Sequence, residues 1–264
     1  MAVRKERSIM LVAIDCGNTN TVFGLYKHDV LIADARFTSN ELGTSAECAR
    51  ALDWFLKRSG RGRDDIEAIV IGSVVPGLTP RLVEMAHAYY DKEPLLVSGE
   101  LQLGIVNLYH NPREVGTDRV VGALAAYNSH RRACIIIDFG TATTIDVVTK
   151  KGEYLGGVIC PGLQTSALSL SRRAAQLFNV DLKPPQSFVG RTTEESIKSG
   201  LLYGTVAMIE GLLARITEEQ KTSFFVVATG GLAPMIAEHT DMIDEVNPSL
   251  VLDGLALAYR ILTK

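Results

Sequence analysis

Leu11-Val-Ala-Ile-Asp15-Cys-Gly17-Asn-Thr-Asn20-Thr-Val-Phe-Gly24 is the stretch on which the fold turns. Four apolar residues lead to an aspartate, the chain reverses through Gly17-Asn18-Thr19, and an apolar run resumes. That pattern predicts a β-hairpin of two buried strands joined by a tight turn. The turn has the chemistry of an anion site. Glycine lets the backbone approach an anion closely, and Asn18, Thr19 and Thr21, with Asn20 beside them, supply neutral polar groups. Asp15, a carboxylate at the strand's end, can hold a cation such as Mg²⁺ through water. Such a turn suits a nucleotide phosphate tail carrying a metal. Taken alone, it serves equally well as a structural hairpin.

An echo favours the first reading. Cys134-Ile-Ile-Ile-Asp138-Phe-Gly140-Thr-Ala-Thr143-Thr-Ile-Asp146 repeats the pattern, with Asp138 for Asp15 and Gly140 for Gly17. Thr141, Ala142 and Thr144 follow where Asn18, Thr19 and Thr21 stood. Asp138 comes 123 residues after Asp15 in a chain of 264, so the repeat covers nearly half the sequence and predicts two related domains. Two phosphate-holding hairpins facing each other across a cleft make a nucleotide clamp.

Composition narrows the class. Apolar residues at 47% and charged residues at 22% describe an ordinary globular chain with ample core. The net charge of −3, with Lys and Arg scattered, argues against a nucleic-acid surface. No apolar run approaches the roughly 20 residues of a membrane span, and Leu11–Ile14 is too short for a signal-peptide core. Cys16, Cys48, Cys134 and Cys160 show no close pairing, and the five histidines make no His-x-x-x-His. Neither disulfides nor zinc is expected, and a reducing cytoplasm is the expected compartment. Cys16 lies in the turn, either as a reactive thiol or as a small filler.

The pattern along the chain gives a leader at 1–9, a first domain at 10–115 and a second at 116–264. After the hairpin, Val30–Phe37 reads as a third strand. Thr44-Ser-Ala-Glu47 is a capping box for a helix ending near Gly60, with Trp54, Phe55 and Leu56 as its core face. Ile66–Ile71 reads as a buried strand, 82–89 as a helix, 94–97 as a short strand and 103–106 as another candidate. Asn107–Arg119, with Pro112 and Gly116, is a loop of the kind that carries sites. It leads into a helix from Val120, with Thr117 and Asp118 at its start. Asp118 is then either a catalytic carboxylate or an acid that offsets the helix dipole.

The second half repeats the programme. A hairpin turns at Lys150–Gly152, and a short strand flanked by Gly156, Gly157 and Gly162 leads to a helix over 163–177. A loop at Lys183-Pro-Pro185 precedes a long apolar helix capped by Thr192 or Thr193. Its small residues Gly200, Gly204, Ala207 and Gly211 suggest burial on more than one side, an inter-subunit contact among the candidates. Phe224–Thr229 is a strand ending in Gly230-Gly231, where a flat base or ribose could lie against backbone. A last helix over 248–262, with Asp253 in its first turn, closes the cleft or packs back on the first domain.

No Gly-x-x-x-x-Gly-Lys-Ser/Thr and no His-Arg-Asp occurs, which argues against P-loop and protein-kinase chemistry. Phosphoryl transfer by positioning and charge neutralisation remains.

Asp-x-Gly-Asn-Thr at Asp15, Gly-Thr-Asp-Arg at Gly116 and Asp-x-Gly-Thr-Ala-Thr-Thr at Asp138, in that order, resemble the type III pantothenate kinases. That family belongs to the superfamily of actin, sugar kinases and a class of heat-shock ATPases. The resemblance covers the chain from Met10 onward. It implies an α/β fold of two duplicated actin-like, ribonuclease H-like domains with the nucleotide cleft between them. It implies ATP-dependent phosphorylation of pantothenate, the first step of coenzyme A biosynthesis, by a homodimer that needs Mg²⁺ and a monovalent cation, K⁺ or NH₄⁺.

By the same resemblance Asp118 is the catalytic carboxylate. Asp15, Gly17, Asn18, Thr19, Asn20, Thr21, Thr141, Gly230 and Gly231 bind ATP. Tyr109, Gly116, Thr117, Asp118 and Arg119 line the pantothenate pocket, with Thr193 a further substrate contact that reaches a neighbouring subunit. Asp138 is the potassium ligand. Arg119 partners a substrate carboxylate or developing phosphate charge, or else a structural salt bridge. Thr117, where the family commonly has alanine, and the leader are the departures. Alternative readings are another small-molecule kinase of the superfamily, a non-catalytic regulatory homologue of the Bvg accessory factor kind, and a filament-forming actin relative.

Overall fold

The computed structural model describes residues 10–173 and 183–264. They form two compact units: one runs to Ala125 and takes in Ser249–Lys264, and the other is Ala126–Pro248. The boundary therefore lies ten residues beyond the expected 115/116, and the last helix belongs to the first unit.

The first unit opens with β1 (Met10–Cys16), β2 (Asn20–Lys27) and β3 (Val30–Thr38), followed by α1 (Ser45–Arg58), β4 (Ile66–Ser73), α2 (Thr79–Tyr90), β5 (Leu95–Val97) and β6 (Val106–Asn107). Then comes α3 (Thr117–His130), within which the unit boundary falls. The sheet order is β3-β2-β1-β4-β5, with β1–β3 antiparallel and β4 and β5 parallel to β1. Met10, Val12, Ile14, Phe23, Leu25, Ile69 and Ile71 pack on Leu52, Phe55 and Leu56 of α1 and on Leu82, Met85 and Ala86 of α2.

The second unit contains β7 (Cys134–Phe139), β8 (Ala142–Val148), β9 (Glu153–Pro161), α4 (Leu163–Arg173), α5 (Thr193–Gln220), β10 (Phe225–Thr229), α6 (Ala233–Ala237) and β11 (Glu245–Val246). Its strands run β11-β10-β7-β8-β9, with β7–β9 antiparallel and β10 and β11 parallel to β7. The order is that of the first unit with each strand replaced by its counterpart, so the sequence echo is one corner of a full duplication. The last helix, α7 (Leu250–Leu262), closes the chain in the first unit.

Local chemistry explains several boundaries. Thr44 caps α1 by accepting the Glu47 N–H at 3.2 Å, and Gly60 at φ +69 follows its end. Thr192, rather than Thr193, caps α5 through the Glu195 N–H at 3.1 Å. Several expectations need revision. Trp54 is 52% exposed, while Phe55 and Leu56 are enclosed. Neighbouring helical residues are turned about 100° apart, so three in a row cannot share one face. Trp54 meets Phe37 edge-on at 5.7 Å, with the Arg58 guanidinium 5.4 Å from its ring.

Leu103 and Ile105 are buried outside any strand, and β9 is a single nine-residue strand that includes Gly156 and Gly157. The helix expected over 163–177 is described to Arg173, its remainder lying outside the described residues, as does the leader. The absence of a long uninterrupted apolar run holds, since Lys198, Glu210 and Arg215 break α5, yet by length and composition α5 is long and apolar enough to cross a membrane. In the structure Leu201, Leu202, Val206, Ile209 and Leu213 of α5 pack into the core of the second unit.

Candidate active site

In the first unit the β1–β2 register closes with Cys16 opposite Thr21, leaving Gly17–Asn20 as the turn. The Gly17 N–H donates to the Asn20 carbonyl at 3.0 Å. Asp15 is half-buried at the end of β1, and Asn18 and Thr19 are exposed. Thr21 is fully enclosed, its hydroxyl 2.9 Å from that of Ser39, so it faces inward rather than toward a ligand. Cys16 is the small filler: it has no exposure, and burial pushes its thiol pKa up, away from the reactive thiolate.

The same end of this sheet receives α3. Asp15 pairs with Gly72 of β4, and the Val74 N–H donates to the Cys16 carbonyl at 3.0 Å. A Cβ on Gly72 would lie 3.0 Å from the Thr117 methyl, and one on Gly116 would lie 3.3 Å from a Val74 methyl. Gly72 and Val74 thus join the Asp15 strand end to the Gly116–Arg119 segment, a link that no motif signals. Thr117 is buried, and its hydroxyl donates to the Val97 carbonyl at 3.2 Å. Asp118 is half-buried in the first turn of α3, where its Oδ1 accepts the Arg119 N–H at 2.8 Å. Arg119 is only 9% exposed. Tyr109 is half-buried upstream: its N–H donates to Asn107 Oδ1 at 3.0 Å, and Asn107 Nδ2 donates to the Gly99 carbonyl at 3.2 Å.

The corresponding turn of the second unit is one residue shorter. Phe139 pairs with Thr143, and the Gly140 N–H reaches the Ala142 carbonyl at 3.1 Å. Thr143, not Thr144, therefore occupies the place of Thr21. A run of small residues hides such a deletion from sequence alignment. Thr141 is exposed, and its carbonyl accepts the Gly162 N–H at 3.2 Å and the Thr165 hydroxyl at 2.6 Å. Asp138 is half-buried and pairs with Thr229. Gly230 follows at φ +88, and any Cβ there would collide with Asp138 Oδ1 and the Phe139 carbonyl. Gly231 is exposed beside it, while Thr193 stands exposed on the first turn of α5.

Among the described residues no three His, Cys, Asp or Glu side chains gather as a metal cluster. A lone carboxylate suits Mg²⁺, which keeps several waters and takes phosphate oxygens, and Asp15 fits that role. Asp138 differs in having Gly230 packed against it, with the Phe139 carbonyl also close to that glycine.

Residues 11–215 match the family model described as type III pantothenate kinase. A protein named type III pantothenate kinase from Anaeromyxobacter sp. (strain K) is 46% identical over 251 residues, 95% of this chain and 99% of that relative. The fold is also that of a Campylobacter jejuni protein assigned to the Baf family of transcriptional activators, with TM-score 0.60, 19% identity and coverage of 96% of this chain and 98% of the other. A ROK hexokinase from Thermus thermophilus gives TM-score 0.54 at 16% identity, covering 96% and 99%.

Proposed function

The chain belongs to the type III pantothenate kinase family and phosphorylates pantothenate, and from that premise we infer how its residues divide the reaction. Asp118 receives the proton of the attacking hydroxyl. An alkanol is far too weak an acid to be deprotonated beforehand, so the carboxylate need only take the proton late, as the new P–O bond forms and the bond from the γ-phosphorus to the departing ADP oxygen breaks. The Arg119 N–H on Asp118 Oδ1 holds the carboxylate in place at the start of α3. Gly116 and Thr117 shape the pocket for pantothenate, with Tyr109 on the preceding loop. Arg119 supplies positive charge to its carboxylate or to the phosphoryl group, and Thr193 is a further contact.

Asp15, Gly17, Asn18, Thr19 and Asn20 hold the phosphate tail of ATP, with Thr21 acting from beneath. In the second unit Thr141, Gly230 and Gly231 are the residues for ATP. Mg²⁺, when bound near Asp15, neutralises phosphate charge, and a monovalent cation, K⁺ or NH₄⁺, finds its carboxylate in Asp138. The observation that carries this reading is the convergence of the Asp15 strand end and the Asp118 helix start at one end of the first sheet, through Gly72 and Val74.

The chain acts as a homodimer in the cytoplasm, at the opening of coenzyme A synthesis. Four free cysteines suit that compartment. The dimer reading is supported by the exposed α5 face of Gly200, Gly204, Ala207 and Gly211, where a Cβ on any of the three glycines would meet nothing within 4 Å. The scattered charge, −3 overall, gives no support to a nucleic-acid partner, and the packing of α5 into the core gives none to a membrane.

ADP release from the purified protein tests the reading, measured with ATP, Mg²⁺ and K⁺, with and without pantothenate, and with Na⁺ in place of K⁺. Release that requires both pantothenate and K⁺ is expected. Release indifferent to pantothenate would overturn the acceptor assignment, and equal rates in Na⁺ would remove the potassium role from Asp138.

A further inference from the structure

Ser39, the residue immediately after β3, carries no motif, yet it makes three hydrogen bonds to the first turn. Its N–H donates to the Thr19 carbonyl at 3.0 Å, its hydroxyl donates to the Gly17 carbonyl at 2.6 Å, and the same hydroxyl lies 2.9 Å from that of Thr21. Ser39 is 6% exposed and Thr21 has no exposure, so this network is enclosed beneath the turn. A trans peptide points its carbonyl and the following N–H in opposite directions. Holding the carbonyls of Gly17 and Thr19 toward Ser39 therefore directs the N–H groups of Asn18 and Asn20 away from it.

The second unit shows that the fold itself does not demand this residue. Pro161 lies opposite Ala142 as Thr38 lies opposite Asn20, and the Gly162 N–H donates to the Thr141 carbonyl as the Ser39 N–H does to Thr19. Gly162 thus stands in the place of Ser39 without a side chain, and any Cβ there would run into the Thr141 and Gly140 carbonyls. Thr143, in the place of Thr21, is left with a buried hydroxyl that has no partner among the described residues. Of the two turns, the first carries the hydroxyl brace.

We propose that Ser39 is a positioning residue for ATP: it fixes the peptide planes of the Gly17–Asn20 turn in the orientation that binds the phosphate tail. This rests on the reading of that turn as a phosphate site. Ser39→Ala is expected to raise KM for ATP about tenfold, with kcat at saturating ATP and KM for pantothenate changed by no more than about twofold. Thr21→Val, which removes one of the two hydroxyls, is expected to raise KM for ATP about threefold, and Ser39→Thr, which keeps the hydroxyl, to restore most of the affinity. A purely structural role would lower the active fraction, and so apparent kcat, at unchanged KM.

Asp15→Asn, measured alongside, separates the two levels of the argument. If it raises KM for ATP while Ser39→Ala does not, the proposal falls and the phosphate reading stands. If neither variant changes KM for ATP, the phosphate reading falls and takes the proposal with it. Should Ser39→Ala not fold, the remaining variants decide: a folded Thr21→Val with wild-type KM for ATP overturns the brace.

Discussion

Asp118 and Asp138 are both half-buried carboxylates, and the roles proposed for them differ as their neighbours do. Asp118 is held by the next backbone N–H at a helix start, whereas Asp138 lies beside Gly230, where its own oxygen and the Phe139 carbonyl leave no room for a side chain. Asp118→Asn should therefore lower kcat by about 10²- to 10⁴-fold while the ATP Kd from calorimetric titration moves little. Near-normal turnover would remove Asp118 from the mechanism. Asp138→Ala should abolish the difference between K⁺ and Na⁺ in steady-state rate, and a persisting difference would place the cation elsewhere. Asp15 and Asp138 stand out in the sequence because a carboxylate before a glycine turn is a conspicuous pattern, whereas the role proposed for Asp118 comes from the resemblance of Gly116–Arg119 to the family. Ser39 does not stand out, since it works through carbonyls 20 or so residues away and a lone serine looks like any other. The inward turn of Thr21 and the one-residue deletion that puts Thr143 in its place were also hidden. Both depend on strand register, which small polar residues do not reveal.

Helices and strands were read well where a cap or a breaker marks them, as at Thr44 and Gly60, and less well where burial alone decides. Trp54 shows the second case: hydrophobicity placed it in the core, and helical geometry turns it outward. The docking of α7 rests on close approach. Leu252 and Leu255 are buried, and a Cβ on Gly254 would collide with the backbone of Val121 in α3. Gly254→Ala should cost about 1–3 kcal/mol and lower Tm by roughly 3–10 °C in a thermal scan, despite the better helix propensity of alanine. An unchanged Tm would mean that α3 and α7 have slack.

Polar contacts at Asp53 of α1 add to the apolar packing of α1 on α2. Asp53 accepts the Arg63 Nε–H at 2.7 Å and the Tyr90 hydroxyl at 2.9 Å, and the Arg63 hydrogen bond is the main cause holding its carboxyl below the usual range. A lowered folded pKa gives stability that is present above the unfolded value of about 4 and is lost as pH falls through the folded one. Asp53→Asn should flatten the fall of Tm between about pH 5 and 3. The pair is partly exposed, so the effect is small.

At the scale of the molecule, duplication is the organising fact. Strand orders β3-β2-β1-β4-β5 and β9-β8-β7-β10-β11 correspond strand for strand, and the two hairpins announced this from sequence because buried strands and a glycine turn survive divergence. The short strand β11 and the exact unit boundary did not show, since a two-residue strand has no periodicity and the boundary falls inside a continuous helix. The small-residue face of α5 carries the dimer prediction: Gly204→Arg should convert a dimer to a monomer in sedimentation, and an unchanged dimer would move the interface to another face.

The most direct test of the whole account is phosphorus NMR of a reaction containing ATP, Mg²⁺, K⁺ and pantothenate, run with the wild-type protein and with Asp118→Asn. The account predicts that wild type converts the γ-phosphate signal into a phosphate monoester in step with ADP, and that the variant leaves the spectrum of ATP almost unchanged. Inorganic phosphate in place of the monoester, or a monoester formed equally fast by Asp118→Asn, would contradict it.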